Sequence, residues 1–504
     1  RDHMGTEQQK NEQIVSAQAD SRSMQSSQGI KLSWREKICY GFGDLGNGFM
    51  FDLGQAYLTK FYTDICLISP GVVSLIFAVT KIFDAFMDPI AGAFVDGRKK
   101  IGKHGRFRPV MMVSAVILAV LTVVTFTAPD IPMAGKIAYA LITYMIWGVV
   151  YSFTNVPYGS LATVMTRDVD DRAHMASTRQ AGSLCAQLIT GVAFIPLVLF
   201  FAGGDTLDGN PHGYTIAAVV MGLCGIAGFA ICFLGTREHI RIDRQAEEKA
   251  AGKAGKKSSA FSTYFKVVFT NKNLGAVILL TLFTISAMNT NNTMMVYFCQ
   301  YNLGNIALQP IVNGIMIGTS VVAILAIPTL VKHFGKKRTC VACFIVGAVA
   351  NGLNFILPTN TVTFIIFVTI GYVALAIPNG ITWNLVSDVI DYGEWHTGIR
   401  KEGTTYAAFN FSRKLAQSLA AIISGGILAL TGYVANKPQT AATLLGIKGA
   451  LTIYPACALL VAALIIFALY DITEKKFNSI SNDLSNGRWE RGKIGESTIE
   501  TIDK

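Results

Sequence analysis

Charged side chains are scarce in this sequence. Asp, Glu, Lys and Arg make up 15% of its 504 residues, whereas hydrophobic residues make up 51% and the mean hydropathy is +0.43. Soluble domains carry about 25% charged residues, so this composition excludes a water-soluble fold of the same length. The apolar stretches also recur at the length of about 20 residues that crosses the hydrocarbon of a bilayer. The chain is therefore expected to use the lipid bilayer as its solvent.

Residues for several kinds of chemistry are missing as well. The histidines fall at or beyond the ends of the predicted membrane segments, which argues against an intramembrane metalloenzyme. The sequence contains no glycine-rich phosphate-binding loop ending in Lys-Ser/Thr, which ATP-driven transport would need. The nine cysteines are scattered through apolar segments and imply no disulfide framework, and the CxxC pair Cys340 and Cys343 has no second pair beside it. The sequence predicts no enzyme activity and no cofactor, and no metal other than a coupling cation.

The net charge of +11 is explained by membrane topology rather than by binding of a nucleic acid. The loop after the second apolar segment reads GRKKIGKHGRFRP and the loop after the eighth reads HFGKKRT, whereas loops after odd-numbered segments carry almost no Lys or Arg. Because short basic loops stay in the cytoplasm, both termini are predicted to be cytoplasmic. The two basic loops hold corresponding places, which favours two duplicated bundles that rock around a central site.

Twelve apolar segments of membrane-spanning length follow one another along the chain. They divide the chain into a disordered, tag-like tail (1–31), a six-helix bundle (32–236), a cytoplasmic linker (237–272), a second six-helix bundle (273–470) and a cytoplasmic tail (471–504). The predicted segments are 37–64, 72–97, 107–128, 136–165, 173–202, 213–236, 273–301, 309–331, 338–357, 361–388, 404–433 and 448–470.

The second segment contains the densest group of intramembrane charges, in KIFDAFMDPIAG. Lys81, Asp84 and Asp88 are spaced three and four residues apart and so share one helix face. A charge at mid-membrane costs about 2.5–3.5 kcal/mol, so the group is a functional candidate. Two carboxylates one turn apart favour binding of a proton or a small cation. The alternative is a structural Lys81–Asp84 ion pair, which leaves Asp88 unexplained.

Basic residues inside later segments need negative partners. Arg413 and Lys414 lie within TTYAAFNFSRKLAQS of the eleventh segment, and their candidate partners are the aspartates of the second segment or an anionic group on a solute. Arg179, early in the fifth segment, is predicted either to contact a solute or to form a salt bridge near the cytoplasmic end.

Amide, hydroxyl and aromatic side chains in other segments suit a polyhydroxylated ring, which needs fixed hydrogen bonds and a stacking surface. Helix packing is the alternative role for the amides and hydroxyls. The further candidate solute-binding residues are Asn47, Asp52 and Gln55 in the first segment, Asn155 in the fourth, and Asn379 and Trp383 in the tenth.

Several motifs together resemble the glycoside-pentoside-hexuronide:cation symporters, a branch of the major facilitator superfamily. The resemblance covers about residues 32–480 and rests on FYTDI (61–65), KIFDAFMDP, GKHGRFRP, NVPYGSLA (155–162) and DYGEWHTGIRKEG (391–403) followed by FSRK. It implies an all-α polytopic membrane protein with twelve transmembrane helices in two six-helix bundles, located in the bacterial inner membrane. Loop residues expected to act in gating are Arg106, Arg108, Asp391, Glu394, Arg400 and Glu402.

The resemblance also implies roles for individual residues. Asp84 and Asp88 match the cation-site aspartates of the family, and Ser152 matches a position that supplies a hydroxyl to the cation. Lys414 matches a lysine of the eleventh helix, and Arg179 matches a sugar-contacting arginine.

Two positions depart from the galactoside-binding members of the family. Gly48 and Asn155 stand where those members have carboxylates that contact the sugar. Fewer acceptors and more cations favour an anionic sugar, such as a hexuronide or a sulfonated hexose of the sulfoquinovose type. A neutral glycoside or pentoside is the alternative substrate.

Met87 determines the expected coupling ion. An Asn holds this place in sodium-using members of the family, and a thioether is a poor ligand for a hard cation. Asp84, Asp88 and Ser152 then offer few oxygens for sodium, whereas a proton needs only one carboxylate. We therefore predict proton-coupled symport by alternating access, with sodium as the alternative ion. A membrane sugar sensor that does not transport is the alternative from another functional class.

Overall fold

The computed structural model describes residues 31–97, 104–166, 169–204, 211–239, 271–397, 402–485, 488–489 and 492–493. The first half of the chain forms α1 (Trp34–Lys60), α2 (Pro70–Gly97), α3 (Arg108–Thr125), α4 (Met133–Met165), α5 (Val169–Ala202) and α6 (Pro211–Gly235). The second half forms α7 (Lys272–Tyr297), α8 (Leu308–Leu325), α9 (Ile327–Phe334), α10 (Lys336–Ile356), α11 (Thr361–Thr397), α12 (Glu402–Leu430), α13 (Ala441–Leu451) and α14 (Ile453–Ala468). A final helix, α15 (Glu474–Ser485), precedes a short antiparallel pair, β1 (Arg488–Trp489) and β2 (Gly492–Lys493).

Eleven stretches of the described chain are long and apolar enough to cross a membrane, so the predicted all-α polytopic fold is confirmed. α1 is not among the eleven, because it carries the polar residues predicted to line a cavity. It packs against α5 and α6, and one side of it, including Tyr40, Met50 and Leu53, is buried in the protein. Contact with protein rather than lipid explains how this helix tolerates its low hydropathy.

Two predicted segments have different ends in the structure. α11 continues to Thr397 rather than stopping at 388, and the last crossing begins at Ala441 rather than 448. Lys448, the predicted first residue of that segment, lies inside α13, and its ammonium donates to the Leu357 carbonyl oxygen at 2.7 Å. The domain boundaries stay predictions, because residues 1–30, most of 237–272 and 494–504 lie outside the described residues.

Each half has its own apolar core. Tyr62, Trp147 and Phe194 are buried in the core of α1–α6, while Phe344 and Leu459 are buried in a core built from the second half. The halves meet mainly where α2 packs on α12 and α5 packs on α8. This arrangement places the charged residues of α2 directly against α12.

The α2–α12 contact depends on small residues and hydroxyls. Ser74 donates to the Ala421 carbonyl oxygen at 2.7 Å, and Ser418 donates to the Ala78 carbonyl oxygen at 3.1 Å. A Cβ atom on Gly425 would lie 2.4 Å from Ser74 Cβ, so only glycine allows the two backbones to come this close. Such contacts hold helices together in lipid, where the hydrophobic effect gives little association.

The halves are also joined at one end of the molecule, which we call the closed end. α1 and α7 each finish in a π-helical turn there, at Phe61–Ile65 and Phe298–Asn302. Among the described residues, the hydrogen bonds that join the two halves occur at the closed end and from there as far as the middle of α2 and α12.

Candidate functional site

The charged residues of α2 meet the middle of α12. Lys414 forms an ion pair with Asp88 Oδ2, and its ammonium donates to the Asp84 carbonyl oxygen at 3.2 Å. Ser152 on α4 donates from Oγ to Asp88 Oδ1 at 2.7 Å. Lys81 Nζ lies 3.9 Å from Asp84 Oδ2. The three residues predicted to bind a cation thus lie together, and the ammonium of Lys414 lies beside them.

The two aspartates have different surroundings. Asp84 is 3% exposed, whereas the side chain of Asp88 is 33% exposed. Asp84 Oδ1 has no hydrogen-bond partner in the part of the chain that the structure describes. A Cβ atom on Gly148 would lie 2.2 Å from that oxygen, so α4 presses closely on it. Asp88 is therefore the carboxylate that solvent reaches first, and Asp84 is enclosed behind it.

Lys81 lies among aromatic rings of the first half. Its ammonium is 4.5 Å from the ring centroid of Phe51, 5.7 Å from that of Tyr144 and 5.9 Å from that of Trp147. Ring faces attract a desolvated cation, which supplements the long contact to Asp84.

Arg179 forms a salt bridge, one of the two roles predicted for it. Its Nε donates to Asp44 Oδ2 at 2.7 Å, and its guanidinium lies 4.9 Å from the ring centroid of Tyr158. Its Nη2 also donates to Asn155 Oδ1 at 3.4 Å. The Arg179 side chain remains 34% exposed, so a solute could still contact it.

Arg413 points away from the aspartates of α2. Its Nη1 donates to Asn379 Oδ1 at 3.5 Å, and its guanidinium stacks on Trp383 and Phe409 at centroid distances of 5.2 and 5.8 Å. Adjacent helical residues differ in direction by about 100°, so Lys414 reaches the aspartates and Arg413 reaches α11. The aspartates of α2 were one of the two partners predicted for the basic pair. In the described structure Lys414 contacts them, whereas Arg413 contacts α11.

A cavity of about 80 Å³ lies between the halves. Its wall includes Asp52 and Gln55, as predicted for the first segment. Asn47 is not part of this wall, and its Nδ2 instead donates to the Tyr151 hydroxyl at 3.4 Å. The cavity is unusually rich in carboxamides, contributed by both halves: Gln55, Gln187, Asn289, Asn292, Asn313 and Gln417.

The predicted gating residues before α3 are held by one carboxylate. Glu238, after α6, accepts hydrogen bonds from the backbone N–H groups of Arg106, Phe107 and Arg108 at 2.7, 2.8 and 3.0 Å. The Arg108 guanidinium donates to the Phe233 carbonyl oxygen and lies 4.6 Å from its ring. This arrangement fixes the start of α3, where an anionic group is favourable.

The other predicted gating residues lie at the α11–α12 junction. Asp391 and Glu394 belong to the last turns of α11, and Glu402 begins α12. Arg400 and the side chain of Glu402 lie outside the described residues. A gating role for this group stays a prediction.

Sequence reasoning missed two sets of polar residues. Gln187 and Asn313 have no charged residue within one helical turn to mark them as cavity residues, whereas Gln417 follows Lys414 by three residues and could have been recognised from that spacing. Lys60 and Asp64 are spaced four residues apart in TKFYTDI, a spacing that could have indicated their buried ion pair.

Comparison with known proteins agrees with this architecture. A family model described as MFS/sugar transport protein matches residues 39–474. The uncharacterized symporter YjmB of Bacillus subtilis is 47% identical over 454 residues, covering 90% of this chain and 96% of that protein. The putative sulfoquinovose importer of Escherichia coli is 35% identical over 456 residues, covering 90% and 94%.

More distant proteins share the fold. The isoprimeverose transporter of Lactiplantibacillus pentosus is 30% identical over 426 residues, covering 83% of this chain and 84% of that protein. A crystal structure of a D-xylose-proton symporter superimposes with a TM-score of 0.61 at 15% identity, covering 87% of this chain and 98% of the other. The resemblance inferred from the motifs is confirmed, and the chain belongs to the MFS/sugar transport protein family as a membrane-embedded, multi-pass transporter rather than an enzyme.

Proposed function

We propose that the protein is a proton-coupled symporter of an anionic monosaccharide, a hexuronide or a sulfonated hexose, working by alternating access. The observation that carries this proposal is the Lys414–Asp88 ion pair across the two halves. A single lysine charge there satisfies the carboxylate site in the absence of a coupling ion. A buried charge without a partner is costly, so the pair and the ion should exclude each other.

Proton binding then changes what Lys414 can do. Protonated Asp88 no longer needs the ammonium, and Lys414 becomes available for a negative group on the solute. Uptake of the proton and of the anion thus support each other, which is the requirement for symport.

The basic residues support an anionic solute. Arg413 and Lys414 on α12 and the partly exposed Arg179 on α5 supply three cations near the region between the halves. One relative is named a putative sulfoquinovose importer, which agrees with a sulfonated hexose. Another is named an isoprimeverose transporter, which keeps a neutral glycoside as the second candidate.

The ligand set at the aspartates favours the proton. Within the described residues, Asp84, Asp88 and Ser152 bring side-chain oxygens together there, and the neighbouring Met87 carries a thioether. Sodium prefers more oxygen ligands than these side chains provide, so it would require water or further backbone oxygens.

Orientation follows from the basic loops. Arg106, Arg108 and Lys336 lie at the end of the helices away from Asp64, and Lys- and Arg-rich ends face the cytoplasm. The closed end is then the outer one, both termini are cytoplasmic, and the described conformation is inward-facing in the bacterial inner membrane.

Uptake into proteoliposomes tests the proposal. An imposed pH gradient in sodium-free buffer should drive accumulation of D-glucuronate or sulfoquinovose, but not of the neutral methyl β-D-xyloside. Accumulation only under a sodium gradient would make sodium the coupling ion. Uptake of the neutral glycoside alone would contradict the anionic class, and solute binding without any exchange would indicate a sensor.

A further inference from the structure

We propose that the carboxamide-lined cavity is a hydroxyl-binding subsite, in which Asp52 accepts hydrogen bonds from two neighbouring hydroxyls and rejects a second negative charge on the solute. The inference rests on the proposed function, because it concerns the end of the anionic sugar that faces away from the basic residues. Among the described residues that line the cavity, Asp52 is the one with a charged side chain.

The amides of the cavity suit ring hydroxyls. Each carboxamide offers both a donor and an acceptor, as does each hydroxyl of a sugar. Four of these amides are already held in place. Gln187 Nε2 and Gln55 Nε2 donate to the Tyr372 and Tyr144 hydroxyls, each at 3.4 Å, and Asn313 Nδ2 and Asn289 Nδ2 donate to backbone carbonyl oxygens at 3.2 and 2.8 Å. Amides fixed in this way are preorganised for a ligand, because little rotamer freedom remains to be lost.

The wall also contains polar atoms that still need partners. Asn313 Oδ1 and Thr190 Oγ1 are buried and have no hydrogen-bond partner among the described residues. Asp52 likewise makes no hydrogen bond or ion pair within the described part of the chain, although it lies in the same wall. Buried acceptors without donors are unfavourable, so a ligand rich in hydroxyl donors would be stabilised here.

The absence of a side chain at Gly48 leaves space beside one oxygen of Asp52. A Cβ atom on Gly48 would lie 2.9 Å from Asp52 Oδ2, so the glycine one turn earlier leaves that carboxylate oxygen free of side-chain contact on this side. A carboxylate can accept from hydroxyls on adjacent carbons with its two oxygens, and such charge-assisted hydrogen bonds are stronger than neutral ones.

The distance to the basic residues gives the solute a direction. Gln417 lines the cavity and lies three residues from Lys414 and four from Arg413 on α12. At the helical rise this separation is about 4.5–6 Å, the scale of one sugar ring. A sugar in the cavity that turns its anionic group toward the basic pair on α12 then presents its other hydroxyls toward Asp52 on α1.

Charge selection follows from this arrangement. A sugar with one negative group places it beside Lys414 or Arg413, but a sugar with negative groups at both ends must place one beside Asp52. Like charges at close range in a cavity of low dielectric repel strongly. Asp52 should therefore favour singly charged solutes and disfavour doubly charged ones.

Binding to the full-length protein in lipid nanodiscs tests the subsite. The probes are D-glucuronate and sulfoquinovose, each with one anionic group, and D-glucarate, with carboxylates at both ends. Asp52→Asn keeps the shape of the side chain and removes its charge. We expect it to weaken binding of the singly charged probes by about tenfold or more and to leave D-glucarate unchanged or bound more tightly. Asp130→Asn, the same change at an exposed carboxylate, should alter none of the three.

The two directions of change separate the possible outcomes. If Asp52→Asn stays within twofold of the unmutated protein for the singly charged probes, or weakens all three probes equally, the subsite is overturned. If the unmutated protein binds neither singly charged probe, the anionic class itself is wrong. That result is seen without any variant, so it is distinct from failure of the Asp52 assignment.

Discussion

Two lysines approach the aspartates of α2 in different ways. Lys81 is 3% exposed, lies on the same helix as Asp84, and has aromatic rings around its ammonium. Lys414 comes from the other half and is hydrogen-bonded to Asp84 and Asp88 at once. Of the two lysines, Lys414 is the one whose contacts with the aspartates break when the halves move apart. Its pairing can therefore report on the conformational cycle.

Removing either carboxylate should uncouple transport. We predict that Asp84→Asn or Asp88→Asn abolishes pH-gradient-driven accumulation, because each change removes a titratable group from the shared site. Solute exchange at equal concentrations should survive better than accumulation, since exchange needs no net proton movement. Uptake and exchange in proteoliposomes measure the two. Asp130→Asn is the matched control, and full accumulation by both α2 variants would rule out this site.

Lys414 and Arg179 should matter for affinity. We predict that Lys414→Ala and Arg179→Ala each weaken binding of D-glucuronate by about tenfold or more, because each removes a charge-assisted hydrogen bond worth about 1.5–3 kcal/mol. Isothermal titration of the purified variants measures this loss.

Asp44 provides the comparison for Arg179, since the two form a salt bridge. If Arg179 served only to hold α5 to α1, Asp44→Asn would reproduce the defect of Arg179→Ala. We expect instead that Asp44→Asn retains affinity, because it leaves the guanidinium free to bind the anion. Equal losses in both variants would assign the pair to structure.

Isolated charges were easier to predict than isolated amides. Asp84, Asp88 and Lys414 stand out because a charge in an apolar segment is costly and therefore rare. Gln187 and Asn313 cost far less in a helix, and amides also serve in helix packing, so only the fold shows that they meet in one cavity. The pairing of Arg179 with Asp44 was equally hidden, because the two residues are 135 positions apart.

At the scale of the helices, the packing of α4 on α2 holds Asp84 in place. We predict that Gly148→Ala reduces gradient-driven uptake by about tenfold or more, because overpacking of a tight contact costs about 1–3 kcal/mol and the new Cβ would displace the carboxylate. Alanine is the better helix former, so the fold itself should be retained. Uptake in proteoliposomes and the thermal midpoint of the purified protein give the two readouts.

Gly318→Ala on α8 is the matched control. A Cβ atom at that position would have nothing within 4 Å, so the same substitution should leave uptake unchanged. Normal uptake by Gly148→Ala would mean that Asp84 tolerates displacement and does not act from its described position.

Helix positions followed from hydropathy wherever a helix faces lipid. α6 and α14 are apolar almost throughout, and such segments are recognised from sequence alone. α1 is recognisable only through its length and its place before the first basic loop, because its polar residues face protein and cavity. The end of α11 was predicted too early because Asp388, at the predicted boundary, is paired with Lys336 within the fold.

At the scale of the whole molecule, the closed end is held by one buried carboxylate. Asp64 is 2% exposed, pairs with Lys60, and accepts a hydrogen bond from the Tyr433 hydroxyl at 2.5 Å. The Tyr301 hydroxyl donates to it at 3.3 Å, and Asn436 donates to its backbone carbonyl oxygen at 2.7 Å. Three of these partners belong to the second half, so opening of this end must break their hydrogen bonds to Asp64.

Tyr433→Phe tests this contact between the halves without removing the Asp64 charge, whereas Asp64→Asn would remove the carboxylate that is paired with the buried Lys60. A hydrogen bond to a charged group is worth about 1.5–3 kcal/mol, so we predict that Tyr433→Phe shifts the conformational equilibrium about tenfold or more toward opening of the closed end. Hydrogen–deuterium exchange in nanodiscs should rise at residues 61–65 and 298–302. Tyr454→Phe is the matched control, because its hydroxyl bonds Ser286 within the second half at 2.5 Å. Equal exchange in both variants would show that Tyr433 does not hold the halves together.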